Sequence, residues 1–178
     1  MHPLRFFSTL VASKWASRQN SIRSLAAFIN SVEDVPPEQL SPALLVAVKE
    51  HTRGFKETNI NVTKAIIELF IAICEYHYRC STPLGNQAMN DAAAVAVDKI
   101  ADKKLSALAK GLLSNVCQVS PPFAVVNTVS VKVEKVKSPL PHEEAQIWFK
   151  SFCNEYGASS LGNGVKDVVG WILKVPYY

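Results

Sequence analysis

Residues 58–78 read TNINVTKAIIELFIAICEYHY, and this stretch decides the kind of fold the chain adopts. Ile60, Ile67, Ile71, Cys74 and Tyr78 recur at helical spacing along one face, while Val62, Ile66, Leu69 and Ile73 recur along another. A helix that is apolar on two faces cannot lie on a surface; it is inserted between neighbours. The apolar run Ala65–Cys74 is interrupted by Glu68 and falls short of the roughly 18 residues a membrane-spanning helix needs. The stretch predicts a buried helix in a stack of helices.

The same period continues on both sides. Before it, Ile22, Leu25, Ala26 and Ile29 form a stripe, and a short apolar segment runs from Pro42 to His51. After it come Met89, Ala92, Ala93, Ala96 and Ile100, then Leu105, Leu108, Ala109, Leu112 and Val116. Residues 123–136 are ambiguous, because Val129, Val131 and Val133 alternate with polar residues in the manner of a strand. Val126, Val129, Val133 and Val136 also fit a helix, and a lone strand among helices has no pairing partner, so a helix is expected. Pro141 opens the next helix with Glu143 and Glu144 in its first turn; Ala145, Trp148, Phe149, Phe152 and Tyr156 form its stripe and Gly157 ends it. A last short helix uses Val165, Val168, Val169 and Ile172.

Breaks between these segments pair them as antiparallel hairpins: 3–12 with 15–33, 37–51 with 58–79, 85–101 with 104–118, 122–135 with 141–156, and 164–174 as a half-repeat. Pair starts recur every roughly 35–47 residues, the period of HEAT and armadillo arrays. The expectation is an all-α HEAT-like helical repeat solenoid of about four and a half antiparallel helix pairs over 1–174, with a tail at 175–178. The length of 178 residues suits one domain, and 48% hydrophobic residues with seven glycines suit close-packed helices.

Stacked hairpins place all within-pair turns on one edge and between-pair turns on the other. The within-pair turns carry Ser13-Lys14-Trp15, Arg53-Gly54-Phe55-Lys56-Glu57-Thr58-Asn59, Asp102-Lys103-Lys104 and Lys135-Val136-Lys137-Ser138. The between-pair turns, such as 33–37 and 81–85, carry almost no base. Two aromatics among lysines fit an anchor surrounded by steering charge, suited to an acidic protein partner. The net charge of +4 helps such steering but is too mild, and too poor in interleaved stacking aromatics, for a nucleic-acid binder.

Other chemistry is excluded residue by residue. His2, His51, His77 and His142 are scattered, with no nucleophile–base set, and the glycines of Leu161-Gly162-Asn163-Gly164 lack a strand–helix context. No enzyme activity, small-molecule substrate or cofactor is expected. Cys74-x-x-His77-x-x-Cys80 is the nearest approach to a metal pattern, but steps of three spread ligands around a helix, so no metal is expected. From Met1 to Val32 the chain has no acid but carries Arg5, Lys14, Arg18 and Arg23 among serines. That composition also fits a transit peptide, although the stripe from Ile22 continues directly into the repeats.

Three of these turns and one helix resemble the TOG domains of the microtubule polymerase family. Ser13-Lys14-Trp15-Ala16-Ser17-Arg18 is similar to the first intra-repeat turn, and Gly54-Phe55-Lys56-Glu57-Thr58-Asn59-Ile60-Asn61-Val62 is similar to the second turn of a fourth TOG domain. Val97–Asp102 resembles the third repeat entering its turn, and the Trp148 helix ending in Glu155-Tyr156-Gly157 resembles the second helix of the fourth. The resemblance covers about the first 170 residues. It implies that the edge contacts αβ-tubulin or the microtubule lattice, with Trp15 packing on β-tubulin and Lys14, Phe55, Lys56, Thr58, Asn59, Lys103, Lys104, Lys135 and Lys137 beside it. It also implies a cytoplasmic role in microtubule plus-end growth and spindle organisation, at microtubules, spindle poles or centrosomes. TOG domains usually have six repeats, and the basic fifth turn of the family has no counterpart here. The alternative is a HEAT-repeat scaffold for another protein, without tubulin affinity.

Overall fold

The computed structural model of the chain describes residues 14–33 and 35–174. The expected helix at 3–12 and the tail at 175–178 lie outside these, as do the residues of the transit-peptide reading before Lys14. The described residues form helices joined by turns, with no strand among them. In order they are α1 (Trp15–Ser31), α2 (Pro37–His51), α3 (Ile60–Arg79), α4 (Asn86–Lys99), α5 (Ser106–Val119), α6 (Pro122–Val133), α7 (Leu140–Tyr156), a 3-10 segment (Ala158–Gly164) and α8 (Val165–Lys174). None is long and apolar enough to cross a membrane. The chain divides into two compact units, residues 1–88 and 89–178.

In the first unit, α3 is the central element that residues 58–78 predict. Val62, Ala65, Ile66, Ile67, Leu69, Phe70 and Ile73 are fully buried, each of the larger ones stabilising the fold by roughly 1.5–3 kcal/mol. Its second apolar face is less complete than expected: Ile60 and Ile71 are half-buried, and Tyr78 is 63% exposed. Tyr78 stands in the last turn of α3.

Ile22, Leu25 and Ile29 bury the facing stripe of α1 against α3. The two helices run parallel. Arg18 at the start of α1 meets Glu57 just ahead of α3, and Arg79 at the end of α3 donates to the Ile29 carbonyl near the end of α1. Helix α2 runs antiparallel to α3, since Ser41 near its start meets His77 near the end of α3, and the Tyr76 hydroxyl donates to the Val35 carbonyl. The C-terminus of α3 closes with Ser81 at φ 52. There the Thr82 amide reaches back to the His77 carbonyl and the Ser81 amide to Tyr78, a left-handed cap of the kind that ends many helices.

In the second unit, α5 and α7 are likewise parallel. Lys110 pairs with Glu144, Trp148 Nε1 donates to Ser114 Oγ at 3.2 Å, and Gln118 Nε2 donates to the Tyr156 hydroxyl at 3.3 Å. The last two pairs stand 34 and 38 residues apart in sequence, close to the repeat length. Residues 122–133 are helical despite their valine alternation. Val125, Val126, Val129 and Val133 face inward and Val131 is 45% exposed, so burial on a helical period overrides strand propensity. Gly157 ends α7 at φ 77. Gly164 is required by a close approach, since a Cβ there would lie 1.9 Å from the ring of Phe123. Trp171 of α8 packs edge-on against Phe149 of α7, with ring centroids 6.2 Å apart.

Candidate binding edge

Because α1 and α3 are parallel, the turns that precede them lie at the same end of the first unit. Lys14 is extended (φ −80, ψ 124) and caps α1 with its carbonyl; Trp15 follows at the first helical position and is 46% exposed. That is a large apolar ring left in solvent at a helix start.

The second turn is built by its own backbone. The Gly54 amide reaches back to the Lys49 carbonyl at 2.8 Å, and Arg53, Gly54 and Phe55 all take positive φ, at 51, 72 and 68. For a non-glycine residue this region costs roughly 1–2 kcal/mol. Two sets of contacts offset that cost. Thr52 Oγ1 donates to the Val48 carbonyl at 2.6 Å and accepts from the Phe55 amide at 3.3 Å. The Phe55 ring packs edge-on against Phe70, centroids 5.2 Å apart, with the Lys49 ammonium 5.8 Å from its centroid.

Phe55 is therefore only 6% exposed. The expected second solvent-facing aromatic is instead the clamp that shapes the turn, because the left-handed backbone turns its side chain inward. Asn59 is likewise structural: its Oδ1 caps α3 by accepting from the Asn61 and Val62 amides at 2.9 and 3.4 Å. Between these two anchors, Lys56 and Thr58 are exposed.

Sequence reasoning missed the group that joins the two turns. Arg18 makes two hydrogen bonds to the Glu57 carboxylate, at 2.9 and 3.2 Å, and the Glu57 side chain is only 8% exposed. Thr63 Oγ1 also donates to the Glu57 carbonyl at 3.2 Å, pinning its backbone. An acid set within a basic turn was the available signal, but it points to Arg18 only once the two helices are known to be parallel.

In the second unit the parallel α5 and α7 bring two further turns to one end. Asp102 Oδ1 accepts from the Lys104 and Leu105 amides at 2.8 and 3.1 Å, a local Asx turn that leaves Lys103 and Lys104 exposed. Ahead of α7, Lys135, Lys137 and Ser138 are exposed, while the His142 ring bonds the Val136 carbonyl through Nε2 at 3.0 Å. A groove of about 680 Å³ runs along α7, lined by Glu143, Ile147, Phe149, Lys150 and Cys153 among others.

The Cys74–His77–Cys80 run does not converge. Cys74 is buried, and burial with Glu75 nearby pushes its thiol up to about 12. His77 holds Ser41 Oγ through Nε2 at 3.0 Å and Thr82 Oγ1 through Nδ1 at 3.2 Å, and Cys80 is exposed. Burial lowers the His77 pKa despite nearby backbone acceptors. Among the described residues no three ligating side chains gather.

The helices, their parallel neighbours and the turns gathered at one end of each unit make a helical repeat fold of the TOG-domain kind. The solved structure of Drosophila melanogaster Mini spindles TOG3 matches with a TM-score of 0.77 at 22% identity, over 97% of this chain and 82% of that one. In sequence the chain is similar to Protein mini spindles of Drosophila melanogaster, at 26% identity over 155 residues. That match takes in 87% of this chain and 7% of the relative, so the chain spans less than a tenth of that protein. No protein-family model matches the chain. The likeness agrees with the resemblance to microtubule polymerase TOG domains read from the sequence. The solved neighbour is a third TOG domain, whereas the GFKETN turn resembles a fourth.

Proposed function

We propose that the chain binds αβ-tubulin, free or in the microtubule, through the turns that carry Lys14, Trp15, Lys56, Thr58, Lys103, Lys104, Lys135 and Lys137, with Phe55 and Asn59 shaping the second turn. In this reading it serves a microtubule polymerase or microtubule-organising protein in plus-end growth and spindle organisation, at cytoplasmic microtubules and spindle poles or centrosomes. The fold is a binding scaffold rather than an enzyme. One observation carries the reading: Trp15 is 46% exposed at the head of α1, beside a turn fixed to that helix by the Arg18–Glu57 pair. An aromatic half in solvent, next in sequence to a lysine, is a hot-spot arrangement for an acidic protein surface.

Co-migration with purified tubulin on size exclusion, and microtubule pelleting, test it. Trp15→Ala should weaken binding by roughly 30-fold or more, as hot-spot truncations do, without changing the melting temperature. Lys103→Ala/Lys104→Ala should weaken it several-fold at low salt and less at high salt. Absence of binding by the wild-type chain at low salt overturns the reading. A scaffold for another protein is the second reading, supported by the groove along α7, where Ile147 is 53% exposed.

A further inference from the structure

Four serine- or threonine-proline dipeptides occur: Ser41-Pro42, Thr82-Pro83, Ser120-Pro121 and Ser138-Pro139. The fold disposes of three. Ser41 is 2% exposed and bonded to His77, Ser120 is 8% exposed, and Thr82 is half-buried with its hydroxyl on His77 Nδ1. Ser138 alone of the four is exposed, and so are Lys137 before it and Pro139 and Leu140 after it. It lies in the turn between α6 and α7, outside any helix. Ser138 directly precedes Pro139, which caps α7 (φ −70, ψ −31), and a residue before proline is biased towards extended backbone.

We propose that Ser138 is the phosphoacceptor for a proline-directed serine/threonine kinase, and that its phosphate cancels the positive charge of the turn carrying Lys135 and Lys137. In the transfer, Ser138 Oγ forms a bond to the γ-phosphorus of ATP. The bond from that phosphorus to the β-phosphate oxygen breaks, ADP departs with the electron pair, and the hydroxyl proton passes to the kinase's carboxylate base. The added charge is about −1.5 to −2 at neutral pH. The turn holds Lys135 and Lys137 against Glu134, so its sign reverses. Pro139 and Pro141 remove two amide donors from the start of α7, and Glu143 in its first turn is a like charge. Helix α7 therefore gains little from the phosphate, and the effect falls on the partner of this edge.

The site itself stands on the fold alone; its regulatory consequence rests on the tubulin reading, and the experiment separates the two. The full chain is incubated with a cyclin-dependent-type kinase and Mg-ATP, then analysed by intact mass and peptide mapping. One phosphate on Ser138 is expected, and none on Ser138→Ala. Phosphate absent, or falling on Thr82, Ser120 or Ser41 in the folded chain, overturns the site. The phosphorylated chain should keep its melting temperature. It should also elute from a heparin column at lower salt, a shift that Lys135→Ala/Lys137→Ala greatly reduces; an unchanged elution overturns the charge reversal. Tubulin affinity should fall several-fold at low salt and recover on phosphatase treatment, and an unchanged affinity overturns the regulatory role. If the unmodified chain does not bind tubulin, the tubulin reading and its regulation fail together, while the mass and heparin results still decide the site.

Discussion

In the first unit the parallel helices α1 and α3 are joined at their start by Arg18–Glu57, midway by Arg23–Glu68 and near their ends by Arg79 and the Ile29 carbonyl, and the turn between α2 and α3 holds three successive left-handed residues. In the second unit, α5 and α7 are joined along their length by Lys110–Glu144, Trp148–Ser114 and Gln118–Tyr156, and the Asp102 turn is closed by one local side chain. The first unit therefore fixes its binding turns directly, through a strained backbone and a nearly buried carboxylate. The second fixes its helices and lets the turns follow. An aromatic anchor needs the first kind of support, because a hot spot depends on preorganised shape. Steering lysines act through distance and need only the second kind.

The largest expected contrast comes from the cores. Phe70→Ala should cost roughly 3–5 kcal/mol and also speed amide exchange at 53–55, because it removes the seat of Phe55. Phe152→Ala in the second unit should cost a similar amount without selectively loosening residues 102–105. Denaturant titration with hydrogen exchange reads both. Equal loosening of the two turns would break the contrast.

Next come the ion pairs. Glu57→Ala leaves Arg18 without its 8%-exposed carboxylate partner and should cost about 1–3 kcal/mol. Lys110→Ala breaks a pair whose two side chains are each about a quarter exposed, and should cost no more than about 1 kcal/mol. Similar melting shifts for the two would show that the first unit is not held by charge.

The strained turn makes a finer prediction of opposite sign. Arg53→Gly should stabilise the chain by up to about 1 kcal/mol and Gly54→Ala should destabilise it by about the same amount, since both positions have positive φ. Thermal melts at one pH decide this.

The smallest effect is a pH dependence. Burial lowers the His77 pKa, so the folded state favours the neutral ring. Below the unfolded-state value of about 6.5, the unfolded chain binds a proton that the native chain resists. Stability is therefore full above that pH and declines as the pH falls through and below it. His77→Gln should flatten this part of the curve in denaturant titrations between pH 7.5 and 5.5, and an unchanged slope would remove His77 as its cause.

The helices were legible because apolar period and breaker residues act locally: from α2 onward the expected boundaries fall within two residues of those observed, and Pro122, Asn59 and Gly157 act at helix ends. The segment at 123–136 was read correctly only by asking what a strand would pair with. What sequence did not reveal was side-chain direction. Tyr78 fits the helical stripe yet stands in solvent, and Phe55 sits among lysines in a turn yet points inward because its backbone is left-handed. The Arg18–Glu57 pair depends on residues 39 apart, a contact that no local pattern encodes. Which of the ten candidate edge residues contact a partner is a question for the variants above.

Parallel neighbours have one further consequence, a matter of pitch. Packed helices lie about 8–10 Å apart, and α1 and α3 are closely packed, so their starts repeat at that interval. The first unit thus presents its exposed side chains as teeth of fixed spacing. A partner surface fits when its own acidic groups recur at the same interval, and a one-residue lengthening of the turn before α3 would leave that interval unchanged while rotating Lys56 out of phase.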